Sequence, residues 1–284
     1  MKKFVVAGIQ MDIKPGDIQF NLKTAISLAE KSLKFNPDMI IFPEMFATGF
    51  AYPYINKIAK DYFIELTSFL TNLSYKTGAH IVGGSIPELF EGKLYNTTII
   101  FTPDRKAVGF YRKIHPFAQT DESKYFTGGD RIAVIETHLA KLGIIICYDI
   151  RFPEIARKLT LEGAEILIVP AQFPRPREHH WNAVLRSRAI ENQVFLIGVN
   201  RVGGRNPDYF GHSIAIDPYG TVLDELDDKE GLLICEIDLG RIEEVRKAMP
   251  VLLDRRPELY KLDMPDETLR LRSGQGREMN DGRC

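Results

Sequence analysis

The apolar character of the early strands in each half of the chain most constrains how it can fold. These predicted strands carry apolar side chains on both faces, so both faces must be covered by other layers. Each predicted helix has a single apolar stripe and needs covering on one side only. The most economical packing places two sheets face to face with helices outside. The sequence therefore predicts an α/β fold, a four-layer α-β-β-α sandwich in a single domain.

The two halves follow a similar order of strand, helix, strand and helix, then several consecutive strands. Apolar periodicity predicts strands at 4–10, 39–42, 80–86, 94–101, 107–114, 131–136, 142–147, 166–172, 194–200, 212–217, 221–225 and 232–237. Helices are predicted after Asp17 and at about 58–77, 153–162, 178–192 and 241–248, and a long loop at 115–130. No linker composition separates the halves. We therefore expect one domain over residues 1–262, and a polar extension over 263–284 that is disordered or lies at a dimer interface.

Composition narrows the functional class. The formal net charge of the 284 residues is −1, so no global field favours nucleic acid or a membrane surface as a partner. No apolar run approaches the roughly 20 residues that cross a bilayer, and charged residues come too early for a signal peptide. Cys147, Cys235 and Cys284 have unrelated spacings, unlike a disulfide framework. These features predict a protein of the reducing cytoplasm.

Cys147 stands where a predicted strand meets a predicted helix. The apolar run 142–146 leads into Cys147, and Pro153 opens the helix a few residues later. At such a turn a thiolate would be stabilised by the helix N-terminus, and backbone N–H groups would be free to hold an oxyanion. The alternative is a structural cysteine, because free cysteines are often buried.

Three other residues have side chains that a cysteine nucleophile would need, and each also has an ordinary alternative. Glu44 follows the short strand 39–42, where partial desolvation would make it a better base, unless it is a solvated loop carboxylate. Lys113 lies near the end of strand 107–114 and is either functional or a lysine that protects a sheet edge. Glu122 lies in the long loop, where a solvated acid is the ordinary interpretation.

Together these residues resemble the nitrilase superfamily of carbon–nitrogen hydrolases. Three ordered motifs carry the resemblance: Pro43-Glu44-Met-Phe, Tyr111-Arg-Lys113-Ile-His-Pro and Gly143-Ile-Ile-Ile-Cys147-Tyr-Asp-Ile-Arg-Phe-Pro-Glu154. Supporting matches are His180-Trp181, Arg188-Ala-Ile-Glu-Asn192, Gly211-His-Ser213 and Asp254-Arg-Arg-Pro-Glu-Leu-Tyr260. The resemblance covers about residues 3 to 260, and the four-layer sandwich is also the fold of that family.

The resemblance implies a role for each residue. Glu44 is the general base, Cys147 the nucleophile and Lys113 the oxyanion stabiliser, helped by the backbone N–H of Tyr148. Glu122 matches the second glutamate, which positions Lys113 and the substrate. No metal or organic cofactor is implied, and the scattered histidines show no zinc spacing. Members of the family usually dimerise through helices that flank the nucleophile strand, so we expect a homodimer or higher homo-oligomer.

Within the superfamily the motifs are most similar to the ω-amidase-like branch. Its members hydrolyse the terminal amide of α-keto acid amides such as 2-oxoglutaramate. A substrate carboxylate calls for an arginine, and Arg175 or Arg177 is expected to bind it, unless both are solvated loop residues. The alternatives are an amidase for another amide or an N-carbamoyl amine, then a nitrilase, then a non-catalytic binding protein.

Overall fold

The structure is a computed structural model that describes residues 3–204 and 207–260 of the chain. The chain divides into two compact units, residues 1–249 and a second unit that begins at Pro250. The strands are β1 Lys3–Gln10, β2 Met39–Ile41, β3 His80–Val82, β4 Ile86–Phe90, β5 Lys93–Phe101, β6 Ala107–Arg112, β7 Val134–Glu136, β8 Lys141–Ile144, β9 Ile166–Ala171, β10 Phe195–Asn200, β11 Val202–Gly203, β12 Tyr209–Phe210, β13 Ile214–Ile216, β14 Val222–Glu225 and β15 Gly231–Asp238. The helices are α1 Ile18–Ser32, α2 Ile55–Thr77, α3 Glu122–Tyr125, α4 Pro153–Leu161, α5 Glu178–Asn192 and α6 Gly240–Ala248.

The first unit contains two large sheets with parallel strands at their centres. The first sheet runs β15-β1-β2-β3-β5-β4, with β6 beside β5, and β1, β2 and β3 are parallel. The second runs β14-β13-β10-β9-β8-β7, with β8, β9 and β10 parallel. Strand β15 returns to pair antiparallel with β1 along its full length. Chain segments from both ends thus complete the first sheet.

The two sheets face each other, and helices cover their outer faces. Val6 of β1 belongs to a core cluster shared with the second sheet, whereas its neighbour Ala7 belongs to the cluster that includes residues of α1 and α2. A Cβ on Gly8 would meet Val199 of β10 at 3.0 Å, so the sheets approach closely there. On the other side, Leu185 of α5 packs within 2.8 Å of the Cβ position of Gly198. These contacts give the four layers expected from the apolar pattern.

Local sequence signals explain where several helices begin and end. The side chain of Asp17 accepts a hydrogen bond from the backbone N–H of Phe20 and caps α1 as predicted. Gly78 ends α2 in a left-handed conformation with φ +70°. The prediction for α5 agrees with the structure at both ends, residues 178 and 192.

Several local features of the structure were not predicted. The strand predicted at 80–86 is two strands, because Gly84 has a φ of +55° and turns the chain between them. The strand predicted to reach Cys147 ends at Ile144, and a 3₁₀ helix occupies 147–151. The long loop at 115–130 contains the short helix α3, and the small β11–β12 sheet was not predicted.

In the second unit, residues 250–260 contain a turn followed by a 3₁₀ helix at Pro257–Leu259. The expected extension over 263–284 lies outside the described residues. Among residues 3–204 and 207–260, no helix is both long enough and apolar enough to cross a bilayer.

Candidate active site

The side chains of Glu44, Lys113, Glu122 and Cys147 converge although they come from four separate segments. Glu44 lies just past β2, Lys113 follows β6, Glu122 opens α3 and Cys147 begins the 3₁₀ helix after β8. Glu44 and Lys113 lie in loops that follow strands of the first sheet, and Cys147 follows a strand of the second. All four are buried, with Cys147 the most accessible at 8% exposure. The ordinary interpretations of solvated acids and an edge lysine are therefore wrong for Glu44, Glu122 and Lys113.

Lys113 is the centre of the cluster. Its Nζ donates to Oε1 of Glu44 at 2.8 Å, and to Oε1 and Oε2 of Glu122 at 2.7 and 2.9 Å. The backbone N–H of Phe117 donates to the same Oε2 of Glu122 at 2.9 Å. One ammonium thus compensates two buried carboxylates, and Glu122 holds it in place with both of its oxygens.

Glu44 is held from three directions. Lys113 and the Nδ2 amide of Asn96 both donate to its Oε1, the latter at 2.9 Å. The backbone N–H of Gln172 donates to its Oε2 at 2.9 Å, and the Gln172 side-chain amide donates to the Glu44 carbonyl at 2.8 Å. Gln172 is the first residue after β9. Glu44 of one sheet is therefore tied to a strand end of the other.

Cys147 has an uncommon backbone conformation, with φ +47°. Its Sγ lies 3.7 Å from the carbonyl oxygen of Gln172, the residue whose N–H binds Glu44. The turn is braced by the buried carboxylate of Asp149, which accepts from the Tyr111 hydroxyl at 2.7 Å and from the His115 backbone N–H at 2.9 Å. These bonds join the turn at Cys147 to the segment that carries Lys113.

Burial and neighbouring charges shift the pKa values of the three groups. Burial raises the pKa of the Glu44 carboxyl, although the ammonium of Lys113 opposes the shift. Burial alone would lower the pKa of Lys113, but Glu122 and Glu44 outweigh it and raise that pKa well above its usual value. Burial, reinforced by the charge of Glu44, raises the pKa of the Cys147 thiol well above its usual value. Burial and the neighbouring negative charge thus favour the neutral thiol form of Cys147.

A cavity of about 680 Å³ opens above these residues. Glu44, Lys113, Glu122 and Cys147 all line it. The remaining lining includes apolar and aromatic side chains, Ile13, Pro15, Phe50, Tyr52, Phe117, Pro174, Pro207 and Tyr209, and three arginines, Arg175, Arg177 and Arg201. A buried thiol, a buried carboxylate and a buried ammonium at the floor of such a cavity suit acyl transfer.

Comparison with known proteins agrees with this geometry. Residues 5–247 match the model of the carbon-nitrogen hydrolase family. The chain belongs to the carbon–nitrogen hydrolase family. It is 38% identical over 260 residues to 2-oxoglutaramate amidase of Bacillus subtilis (strain 168), covering 91% of this chain and 100% of the relative. It is 32% identical to omega-amidase NIT2 of Xenopus tropicalis, covering 93% and 99%.

Among solved structures, the hydrolase is similar to Nit3 of Saccharomyces cerevisiae, described as a member of branch 10 of the nitrilase superfamily. The TM-score is 0.84 at 33% identity, and the match covers 90% of this chain and 97% of Nit3. The resemblance to the nitrilase superfamily and the expected four-layer fold are thus confirmed.

The expected substrate-binding residues of this hydrolase lie in different environments. Arg175 is 41% exposed at its side chain and pairs with Glu178 and with Asp208, at 3.0 Å for the latter. Arg177 is partly buried and lies over the ring of Phe117 at 5.7 Å. The ring of Tyr148 packs against that of Phe117, with the ring centroids 4.6 Å apart. Tyr148 is the residue directly after Cys147 in the sequence.

Sequence reasoning missed three buried residues of the site, Asn96, Gln172 and Arg201. Asn96 and Gln172 bind Glu44, while Arg201 donates to Oε1 of Gln172 at 3.3 Å and to Asp12 at 2.9 Å. A polar residue within a predicted apolar strand is the local signal that could mark Asn96 and Gln172, but it does not reveal which partner either residue binds. Among residues 3–204 and 207–260, no group of three or more potential ligand side chains is placed to hold a metal ion.

Proposed function

We propose that this hydrolase is a cysteine-dependent amidase that cleaves the terminal amide of a small carboxylate-bearing substrate, such as 2-oxoglutaramate, to the acid and ammonia. The observation that carries the proposal is the convergence of Cys147, Glu44 and Lys113 at the floor of one cavity. The relatives named 2-oxoglutaramate amidase and omega-amidase, each matched over nearly its whole length, support the substrate class.

In the first half of the reaction, Glu44 takes the proton from the Cys147 thiol, and the sulfur attacks the amide carbon. The carbonyl oxygen becomes an oxyanion, which Lys113 and the backbone N–H of Tyr148 stabilise. The intermediate then collapses. Its carbon–nitrogen bond breaks, Glu44 returns the proton to the leaving nitrogen, and ammonia departs to leave a thioester on Cys147.

The second half hydrolyses the thioester. Glu44 takes a proton from water as the oxygen attacks the thioester carbon, and the same donors hold the new oxyanion. Collapse breaks the carbon–sulfur bond, releases the carboxylic acid and returns the proton to Cys147. Glu122 positions Lys113 throughout, consistent with its two short hydrogen bonds to Nζ.

Arg177 is the better of the two expected anchors for the substrate carboxylate. Arg175 already pairs with Glu178 and Asp208, so a substrate would have to compete with two carboxylates. In the described part of the chain no carboxylate pairs with Arg177, which lines the cavity beside Phe117. A guanidinium left with its charge uncompensated is well suited to bind an anion bidentately.

The first test is ammonia release by the wild type and by Cys147→Ala. The panel holds 2-oxoglutaramate, 2-oxosuccinamate, glutamine, asparagine, an aliphatic amide, an N-carbamoyl amine and a nitrile. We expect activity on the two keto-acid amides that is lost in the variant. Activity confined to neutral amides or to the carbamoyl amine would overturn the substrate class, and an unreactive Cys147 with no turnover would favour a binding protein.

Charge reversal tests the anchor. Arg177→Glu is expected to raise KM for 2-oxoglutaramate at least tenfold while leaving KM for a neutral amide close to that of the wild type. Arg175→Glu serves as the matched control and should change KM much less. Equal effects of the two changes, or none, would exclude Arg177 as the anchor.

We further propose that the hydrolase acts in the cytoplasm as a homodimer, formed through the face of α4 and α5, and that the domain spans residues 1–262. Leu161 of α4 and Ile190 of α5 are large apolar residues at about half exposure, which supports an interface there. Light scattering would measure the mass, and Leu161→Glu with Ile190→Glu should yield monomers. A chain ending at residue 262 should keep the hydrolase fold.

A further inference from the structure

Asn96 of β5 contacts both carboxylates of the site through one amide nitrogen. Its Nδ2 donates to Oε1 of Glu44 at 2.9 Å and to Oε1 of Glu122 at 3.2 Å. The side chain is 1% exposed. Asn96 is not among the described residues that line the cavity, so it contacts the two glutamates without facing the cavity itself.

The other end of the same amide is left without a partner. Among the residues that the structure describes, no group donates to Oδ1 of Asn96, although this atom is buried. A buried acceptor without a donor costs free energy and is uncommon in folded proteins. The opposite orientation of the amide would point Oδ1 at two carboxylates. Glu44 and Glu122 therefore determine the orientation of the amide, and the Oδ1 atom is left without a hydrogen-bond donor among the described residues.

We propose that Asn96 is a positioning residue for the amidase reaction, and that by holding Oε1 of both glutamates it leaves Oε2 of Glu44 as the atom that receives the Cys147 proton. This inference rests on the function proposed above. It adds an assignment of roles to the two oxygens of the general base and a fifth residue to the group of Glu44, Lys113, Glu122 and Cys147.

The assignment follows from the donors around Glu44. Its Oε1 already accepts from Lys113 and from Asn96, so both lone pairs of that oxygen are engaged. Its Oε2 accepts from the backbone N–H of Gln172 and keeps one lone pair. A proton that arrives at Glu44 must therefore settle on Oε2. The residue that binds Oε2 also contacts the thiol, because the carbonyl oxygen of Gln172 lies 3.7 Å from Sγ of Cys147.

An amide suits this position better than a charged group. Lys113 already supplies one positive charge to two carboxylates, and a second cation would lower the proton affinity of Glu44 further and weaken it as a base. A carboxylate at position 96 would repel both glutamates. The neutral amide offers two N–H donors without a charge, so it orients Glu44 and Glu122 while leaving Glu44 basic.

The test compares Asn96→Asp with the wild type and with the matched control Asn192→Asp. Asn192 of α5 is also fully buried, but its amide donates to the carbonyl of Arg188 and not to a carboxylate that lines the cavity. The ionisable side chains that face Glu44 are those of Glu122, Lys113, Cys147 and Tyr52. We measure kcat and KM for 2-oxoglutaramate, the pH profile of kcat/KM and the melting temperature.

Asn96→Asp is expected to lower kcat about 10- to 100-fold, because a hydrogen bond to a charged group is lost. It should leave KM within about twofold and move the acid limb of kcat/KM upward by about one pH unit, because a new negative charge raises the proton affinity of Glu44. Asn192→Asp should leave the acid limb in place. A folded Asn96→Asp protein whose acid limb coincides with that of the wild type would overturn the proposal.

A second readout separates this proposal from the proposed substrate. The rate at which iodoacetamide alkylates Cys147 is followed against pH, which needs no substrate, and the same upward displacement is expected in Asn96→Asp. A displaced alkylation profile with no turnover of any panel amide would retain the role of Asn96 and reject the amidase. Turnover of 2-oxoglutaramate by an Asn96→Asp protein whose alkylation profile matches that of the wild type would support the amidase and reject the role of Asn96.

The wild-type protein provides a check that does not depend on a variant folding. A crystal structure at about 1.2 Å resolution should place an Asn96 nitrogen within hydrogen-bond distance of both Glu44 and Glu122. An Asn96 side chain turned away from either carboxylate would overturn the proposal. Asn96→Ser, whose hydroxyl has one proton to donate, should give a smaller displacement of the acid limb than Asn96→Asp.

Discussion

At the scale of single residues, the site depends on one positive charge. Lys113 is 1% exposed and lies between two carboxylates at hydrogen-bond distance. A buried ion pair contributes little net stability over a well-packed apolar pair, but removal of one partner leaves an uncompensated charge in a low-dielectric setting. Lys113 therefore supports the fold around Glu44 and Glu122, and in the proposed reaction it also stabilises the oxyanion.

Lys113→Met keeps an unbranched side chain of similar length and removes its charge. We expect the free energy of unfolding to fall by about 3–5 kcal/mol, because Glu44 and Glu122 are left buried without a cation. We also expect kcat/KM to fall by about 10²–10³, the typical cost of losing an oxyanion donor. Urea denaturation and steady-state kinetics measure the two effects.

The control for this change is Lys124→Met in the neighbouring helix α3. Lys124 pairs with Asp121 at the surface, where its side chain is 72% exposed. Solvent screens that pair, so melting temperature and activity should stay close to the wild type. If Lys113→Met were as mild as Lys124→Met, the central place of Lys113 would be refuted.

Glu44 gives a prediction about pH. Burial raises its pKa in the folded state above the unfolded value of about 4.3, despite the opposing charge of Lys113. The folded state then binds more protons than the unfolded state, so this contribution to stability is complete below about pH 4.3 and is lost as the pH rises through the folded pKa. Glu44→Gln lacks the titration. Its free energy of unfolding, minus that of the wild type, should therefore increase with pH, by at most about 1.4 kcal/mol per unit.

Chemical denaturation of both proteins from pH 4.5 to 8 measures this difference. A constant offset from altered hydrogen bonding does not affect how the difference changes with pH. A difference that stays flat or declines with pH would show that Glu44 is already ionised at the lower end. Glu44→Gln should also be inactive. The carboxylate whose ionisation lowers the free energy of unfolding would then be the group that acts as the base in the proposed reaction.

At the scale of elements, one glycine controls how β2 presents Glu44. Gly84 has φ +55°, and a Cβ there would lie 2.0 Å from the carbonyl oxygen of Pro43, the residue before Glu44. The Thr98 hydroxyl also donates to the carbonyl of Gly84. The turn that separates β3 from β4 thus packs its backbone directly against the backbone of the loop that carries Glu44.

Gly84→Ala is compared with Gly92→Ala, which lies in the β4–β5 turn with φ +73° and no heavy atom within 4 Å of its Cβ position. Both changes carry the strain of a left-handed conformation, about 1–2 kcal/mol. Only Gly84→Ala adds a backbone clash, so it should cost about 1–3 kcal/mol more and lower kcat/KM at least tenfold. Equal losses of stability with full activity in both would refute the coupling to Glu44.

The elements also show how far the sequence could lead. The bounds predicted for α5 agree with the structure at both ends, and the motif around Cys147 predicted its turn. Gly83-Gly84 interrupted a run of β-forming residues whose periodicity continued on both sides, so one strand was predicted for two. Asn96 and Gln172 escaped notice because their importance is tertiary. Gln172 binds Glu44 across a sequence separation of 128 residues, which no local pattern reveals.

At the scale of the whole first unit, the site exists only where the two sheets meet. Glu44 comes from the first sheet and Cys147 from the second, and Gln172 bonds to both. One core cluster includes Ile41 of β2, Ile168 of β9 and Trp181 of α5. The two halves of the chain, similar in element order, are therefore expected to unfold together rather than as separate domains.

Trp181 allows this to be tested, because it is the one tryptophan of the chain and is fully buried in the second half. Ile41→Ala removes apolar atoms from the first sheet and should lower the free energy of unfolding by about 2–5 kcal/mol. If the sheets form one cooperative unit, the urea midpoint of Trp181 fluorescence falls together with the midpoints of far-UV circular dichroism and amidase activity. A Trp181 midpoint that stays at its wild-type value while activity is lost earlier would mean that the second sheet and its helices hold together without the first. Cys147 would then lie in a part of the fold that remains folded after the part that carries Glu44 has unfolded.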